Sequence, residues 1–482
     1  MRRARLHRHG PDASIGIKKI KQLLGFGDVK LVAGTQANDI AVSAPLSWAN
    51  GHGLTLDARH SIRIDHTIDV AGPGALTLTT NDGLSGGTLS FGRSGNVHFW
   101  STSNSLTIND DAFTLVDSIA ALASAVATAP SGNYALSGAY DATPDGVYAA
   151  PPVATNFTGA FDGLGNTISH LRVNTTGPRA GLFAWIDLGG AVENLVLKDV
   201  AVKGGNNCEV GAVAGLSFGR IENVATRGIV SGGHTCDIGG IVGFSSNGSS
   251  ILSSSSAGTV RGTHAAFAGG LAGTITGGAI NTVANSHSTA AVTVTDDSHA
   301  GGLIGIFAGL VTKSWAGGAV TVRNQVQGGP LASAGGLIGY FLAFGSDTST
   351  LSNCYASGPV HAGAGAAAGG LIGVHFVTST VSSVVASYSF GTVSAGAGGY
   401  AGGLIGYRYQ NVTTLNTYWD MTQSGINDGS KGVGNHANDA GITGLSTTQL
   451  QSGLPQGFSA AVWAENPHYL NGLPFLIANL PD

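Results

Sequence analysis

Charged side chains are scarce in this chain: Asp, Glu, Lys and Arg make up 10% of its 482 residues, against about 25% in an ordinary soluble domain. A surface poor in charge must be covered by Ser, Thr, Asn and Gly, which suits strands and turns better than helices. The formal net charge of −5 leaves no basic footprint for nucleic acid. Three cysteines exclude a disulfide-built scaffold. Long apolar runs are also missing. Gly, Ser and Thr interrupt every apolar stretch, including 264–284 and 331–344, so no membrane span is expected. The basic start MRRARLHRHG is not followed by a leader-like apolar segment. If the chain is exported, its signal is expected upstream, which makes the chain a fragment of a longer product or the start a misplaced one.

What the chain has in excess is glycine, 77 residues, and a repeat. A Gly-Gly-apolar-apolar-Gly element recurs at 239, 269, 301, 335, 369 and 402, with looser copies at 180 and 211. The spacings are 31, 28, 30, 32, 34, 34 and 33 residues. Behind each copy run further columns. One reads Ile221, Ile251, Val283, Val311, Leu351, Val384. A second reads Asn223, Ser253, Asn285, Lys313, Asn353, Ala386, Asn416. A third reads Val230, Val260, Val292, Val320, Val360, Val393. Short strands cannot bury an apolar face alone, but like strands stacked ~4.8 Å apart in parallel build a continuous core. The glycine pairs supply bends where no Cβ fits, and asparagines at a turn can form a ladder. The glycine density excludes helical solenoids. The expected fold is an all-β, right-handed parallel β-helix, with eight rungs over 180–420.

The chain divides into five stretches. Residues 1–28 read as a basic, poorly ordered segment. Short alternating strands between Asn-Gly, Gly-Pro and Asn-Asp-Gly turns fill 29–112. Residues 113–156 hold one short helix near 115–128, with Ile119, Leu122, Ala123 and Val126 at helical spacing and Asp117 as its cap, followed by a connecting segment. The repeats occupy 157–420. Over 421–482 the repeat is lost, and Trp463, Tyr469 and Phe475, with Trp419, are expected to cap the last rung.

The GGLIG element with its following NCYASG resembles the GLUG-motif repeat of bacterial surface adhesins, over roughly 180–420. Phe157–Val173 resembles the opening rung of such helices, and 29–110 is similar to filamentous-haemagglutinin-like passengers. The family's secretion domain and a membrane barrel are absent from this sequence. The resemblance implies a secreted or surface-displayed passenger, extracellular or on the outer membrane. It implies adhesion to host-surface proteins or glycans, with self-association as a further role, and no cofactor.

The alternative is a carbohydrate-active β-helix enzyme, a polysaccharide lyase or hydrolase. Hydrolysis needs paired carboxylates on neighbouring rungs. Gly51-His52-Gly53, Asp110-Asp111 and Asp296-Asp297 exist, but in the wrong order and about two rungs or more apart, and read better as turn residues. No HExxH and no calcium-roll nonapeptide occurs, and His264, His287 and His299 show no ligand spacing. No catalytic, metal or cofactor residue is therefore assigned, and the chain is expected not to be an enzyme.

Two constellations remain. Trp315, Tyr355, Tyr388 and Tyr418 share one column on four consecutive rungs. Four residues beyond the Ile/Val/Leu column is the same parity in a straight strand, which favours inward burial; a turn at the Asn column would reverse it into a sugar-stacking strip. Cys208 and Cys236 each precede a Gly element by three residues. Stacked rungs bring their Cα atoms within disulfide range, so a bridge and a pair of stacked thiols are both open, with Cys354 free.

Overall fold

Period-two alternation of Leu and Thr generates the strands Gly53–Asp57 and Ala75–Thr79. In the computed structural model, which describes residues 4–6, 13–34, 36–325, 331–343, 348–377, 382–410 and 413–481, the chain forms two compact units. The first comprises residues up to Pro144 together with 157–169 and 190–196. Here Val29–Val32, Gly53–Asp57, Ala75–Thr79 and Ser105–Ile108 stack in parallel, Leu54 over Leu76 over Leu106. Leu54, Leu56, Leu76, Leu78 and Leu106 fill the core while the intervening threonines face outward. A second parallel sheet, built on Ile62–Val70 paired with Leu89–Phe99, closes the other side.

The run of parallel coils breaks at Asn109 and Asp110. Both adopt left-handed backbone, and Asp111–Val116 returns antiparallel to Ser105–Ile108. The basic N-terminal stretch differs from its expectation. Ile17–Leu24 forms helix α1, because Ile20 and Leu24 one turn apart bury against the first core. Beyond the antiparallel return the chain enters helix α2 (Ile119–Thr128), whose Leu122 and Val126 are buried. Its cap is Ser118, whose hydroxyl accepts from the Ala121 amide, rather than the expected Asp117.

The second unit holds the repeats. Two eight-stranded parallel sheets run through it, one from Arg179–Ala180 to Tyr400–Gly402, the other from Phe183–Ile186 to Ile405–Arg408. The sequence columns are the ladder registers. Gly211, Gly239, Gly269, Gly301, Gly335, Gly369 and Gly402 stack directly. Ile221 through Val384 and Val230 through Val393 do the same. The fold is thus a parallel β-solenoid, nearly all β with a few short helices. Each glycine pair makes a corner: a Cβ on Gly335 would overlap the carbonyl oxygen of Ile338 and crowd the amide of Gly373. The asparagine column has a different cause from the expected ladder. All seven of its residues, Asn223 through Asn416, sit at φ between 47° and 53°. Asn is the side chain that best tolerates this left-handed turn. Asn285 Oδ1 is buried without a hydrogen-bond partner, and Asn353 Oδ1 accepts from Trp463.

Candidate functional site

The left-handed turn reverses strand parity, and this decides where the aromatic column points. Ser389 donates from its hydroxyl to the carbonyl of Gly403, and a Cβ on Gly302 or Gly336 would press on Ala316 or Ala356. The residues just after the aromatic column therefore face the glycine corner inside the coil. By alternation Trp315, Tyr355, Tyr388 and Tyr418 face the outer flank. They are nonetheless buried, in a cluster with Leu450, Phe458, Trp463, Leu473 and Leu476. His287 extends the column by one coil, stacked on Trp315 at 4.5 Å and 1°.

The covering residues come from the C-terminal segment, which differs from the expected cap. Residues 431–445 do continue the last coil: Gly403 and Leu404 donate to Lys431 and Gly432, and Ile442–Leu445 pairs with Thr417–Asp420. A short helix, Thr447–Leu450, then begins with a Ser446–Gln449 capping box, and the chain turns back along the flank. Tyr418 donates to the Gln456 carbonyl at 2.8 Å, Trp463 to Asn353 Oδ1 at 3.1 Å, and Tyr388 to the Pro474 carbonyl. Asn479 reaches the His287 coil, 2.9 Å from its Nδ1, and donates to the carbonyls of Ser286 and Lys313. This strap follows the column because a row of outward rings presents the largest apolar strip available for burial. Buried Asp420 anchors its start, accepting from Thr447 Oγ1 at 2.7 Å.

Cys208 and Cys236 are joined by a disulfide, their Cα atoms 4.6 Å apart on adjacent coils. Cys354 is buried, and burial pushes its thiol up to about 12.

Two outward columns flanking the glycine corner escaped the sequence reading. One lies two residues before the first Gly of each element: Arg179, Glu209, Asp237, Phe267, His299, Ser333, Ala367, Tyr400. The other lies five residues after its first Gly: Leu216, Phe244, Thr274, Ile306, Tyr340, Val374, Tyr407. They meet across the corner. Thr274 hydrogen-bonds Asp237, His299 packs on Tyr340 at 4.6 Å, and Tyr400 packs on Tyr407 at 4.8 Å. One end is ionic. Arg179 pairs with Glu209 at 2.8 Å and lies over the Trp185 ring, while burial and Glu209 lift Asp237 to about 7 against its Thr274 hydrogen bond. In the middle, burial lowers His299 to about 4. The other end is aromatic: Tyr340, Phe376, Tyr400, Tyr407 and Tyr409. The signal was present in the sequence at fixed offsets from the glycine motif.

The carboxylate pairs weighed for catalysis do not converge with the histidine. His52 faces Asp28 at 3.7 Å, Asp110 sits in the hairpin turn and Asp111 opens the returning strand, and Asp297 takes a left-handed turn and accepts from Gln325 at 3.1 Å. His264 lies against His234 on the neighbouring coil. Among the described residues no group of three or more His, Cys, Asp or Glu could hold a metal ion. None of the described helices is long and apolar enough to cross a membrane.

No protein-family model matches the chain. It is 46% identical to Halomucin of Haloquadratum walsbyi over 76 residues, 16% of this chain and 1% of that protein, so it spans only a small fraction of this relative. Solved structures similar to it include an IgA1 protease, at 20% identity and TM-score 0.37 over 61% of this chain and 20% of that one. Another is a Bacteroides ovatus protein assigned as an immunoglobulin A1 protease, at 14% identity and TM-score 0.39 over 76% and 92% of the two chains.

Proposed function

We propose that this chain is a non-catalytic adhesive passenger, secreted or displayed on a bacterial surface, whose coil faces contact host-surface proteins, glycans or further copies of itself. The observation that carries the reading is the repeat in strict register: eight coils present the same outward positions again and again. Extended, repetitive faces of this kind serve contact along their length. The resemblance of the Gly-Gly-Leu-Ile-Gly elements to GLUG-type adhesin repeats points the same way. The Cys208–Cys236 bridge suits an oxidising exterior.

Fractionation of the producing cells, with thiol labelling of the recovered chain, tests this reading. Recovery from the medium or from protease-accessible surface, with Cys208 and Cys236 oxidised, supports it. Recovery in the cytoplasm with all three thiols reduced contradicts it.

A further inference from the structure

We propose that the aromatic end of the corner columns, formed by Tyr400, Tyr407 and Tyr409 and backed by Tyr340 and Phe376, is a binding site for neutral polysaccharide. The rings converge from three successive coils. Tyr407 lies 4.8 Å from Tyr400 and 4.9 Å from Tyr409, both at steep angles, and Tyr409 lies 5.0 Å from Phe376. Tyr407 lies on the strand Ile405–Arg408 and Tyr409 directly follows its end, while Tyr340 stacks in register two coils below Tyr407.

Exposure separates this cluster from the other aromatic column. Trp315, Tyr355, Tyr388 and Tyr418 are closed off by the strap, whereas Tyr400 and Tyr409 are 37% and 46% exposed. Neighbouring rings hold each other in place, so a ligand finds faces already ordered, and little side-chain entropy is lost on binding. Tyrosine rings offer apolar faces to the C–H side of a sugar and hydroxyls to its edge.

The ligand class follows from charge. Residues 362–407 contain no Asp, Glu, Lys or Arg. Arg408, between the two tyrosines, turns inward and is buried in an ion pair with Asp439. Burial holds the phenols of Tyr409 and Tyr340 above the usual tyrosine range, so they remain neutral donors at physiological pH. The same column carries Arg179, Glu209 and Asp237 at its other end. The switch from ionic to aromatic is thus local to these last coils. A neutral, aromatic, hydroxyl-edged surface has nothing with which to recognise phosphate, an acidic peptide or an anionic sugar.

This deepens the adhesive reading by naming what the passenger would hold, and its biological use rests on that reading; the binding itself does not. The test is affinity electrophoresis of the full chain through native gels cast with dextran, mannan or galactan, and with polygalacturonate as the charged control. Retardation in at least one neutral gel is expected, unchanged between low and high salt, and absent in polygalacturonate. Tyr409→Ala and Tyr400→Ala should each weaken it roughly tenfold, with Tyr409→Phe retaining most of it. Circular dichroism and melting should not change, because both rings lie at the surface. Passage through all three neutral gels without retardation overturns the proposal, as does undiminished retardation of a Tyr407→Ala/Tyr409→Ala double variant. Sedimentation showing a dimer that Tyr409→Ala dissolves would assign the surface to a second copy and also overturn it. A cytoplasmic location would sink the adhesive reading while leaving the gel result intact, so the two failures are distinguishable.

Discussion

The indole Nε1 of Trp315 donates to the backbone carbonyl of Asn479, 3.1 Å away and 164 residues later in the chain. That bond marks the far end of the C-terminal strap, which returns from the last coil to seal the flank column. Trp463 stands near its middle, fully buried against Tyr355, Tyr388 and Phe458. Trp463→Ala should cost on the order of 3–5 kcal/mol in urea unfolding, and subtilisin or chymotrypsin should cut within 446–481 before the coils; the segment has no Lys or Arg for trypsin. A variant whose strap stays uncut would mean that the segment is held by something other than this cluster.

Tyr388 separates ring packing from hydrogen bonding. Tyr388→Ala should destabilise by about 3 kcal/mol through the cavity it leaves. Tyr388→Phe should lose only about 1–2 kcal/mol, because the ring remains and the buried Pro474 carbonyl loses its donor. Equal losses in the two variants would contradict the placement of the hydroxyl.

The repeat was legible in the sequence because stacked parallel strands put like residues over like residues. The Gly211-to-Gly402 and Ile221-to-Val384 columns read off directly as ladder registers. The direction of the aromatic column was not legible, since it hinges on the backbone at Asn353 and its equivalents. Sequence shows an asparagine there, while the left-handed φ that flips parity is a property of the turn. The strap was hidden for a related reason: Asn479 and Ser286 meet across 193 residues without any shared pattern. The Tyr400–Tyr407–Tyr409 cluster was missed although its offsets from the glycine motif are constant, because two columns only form one surface once the corner folds.

The Cys208–Cys236 bridge closes a loop of 28 residues, for which the chain-entropy account gives a contribution of about 3–4 kcal/mol. Reduction, or Cys208→Ser, should lower the urea midpoint accordingly. Peptide mapping under non-reducing conditions should recover the Cys208–Cys236 pair, with Cys354 unreactive towards iodoacetamide until the protein unfolds. A linkage involving Cys354 would contradict the register.

Asp237 and the buried histidines impose opposite pH dependences. Asp237, lifted to about 7 by burial, contributes most below the unfolded value near 4, and this is lost as pH rises through 7. Burial lowers His299 to about 4 and His375 to about 3, the latter helped by Arg408. Their contribution is therefore present above about 6.5 and lost as pH falls towards 4. Asp237→Asn should gain about 1–2 kcal/mol at pH 8, discounted because part of the side chain reaches solvent, and almost nothing at pH 4. Urea midpoints at pH 4, 6 and 8 check this. A gain independent of pH would show that Asp237 is ionised throughout.

Attachment of the producing cells, measured with the gene deleted and with purified chain added back, tests adhesion most directly. The account predicts that deletion lowers attachment to host cells, to glycan-coated surfaces or between the producing cells, and that added chain competes with attachment of the parent strain. Attachment unchanged by deletion, together with loss of a polysaccharide-cleaving activity, would contradict it.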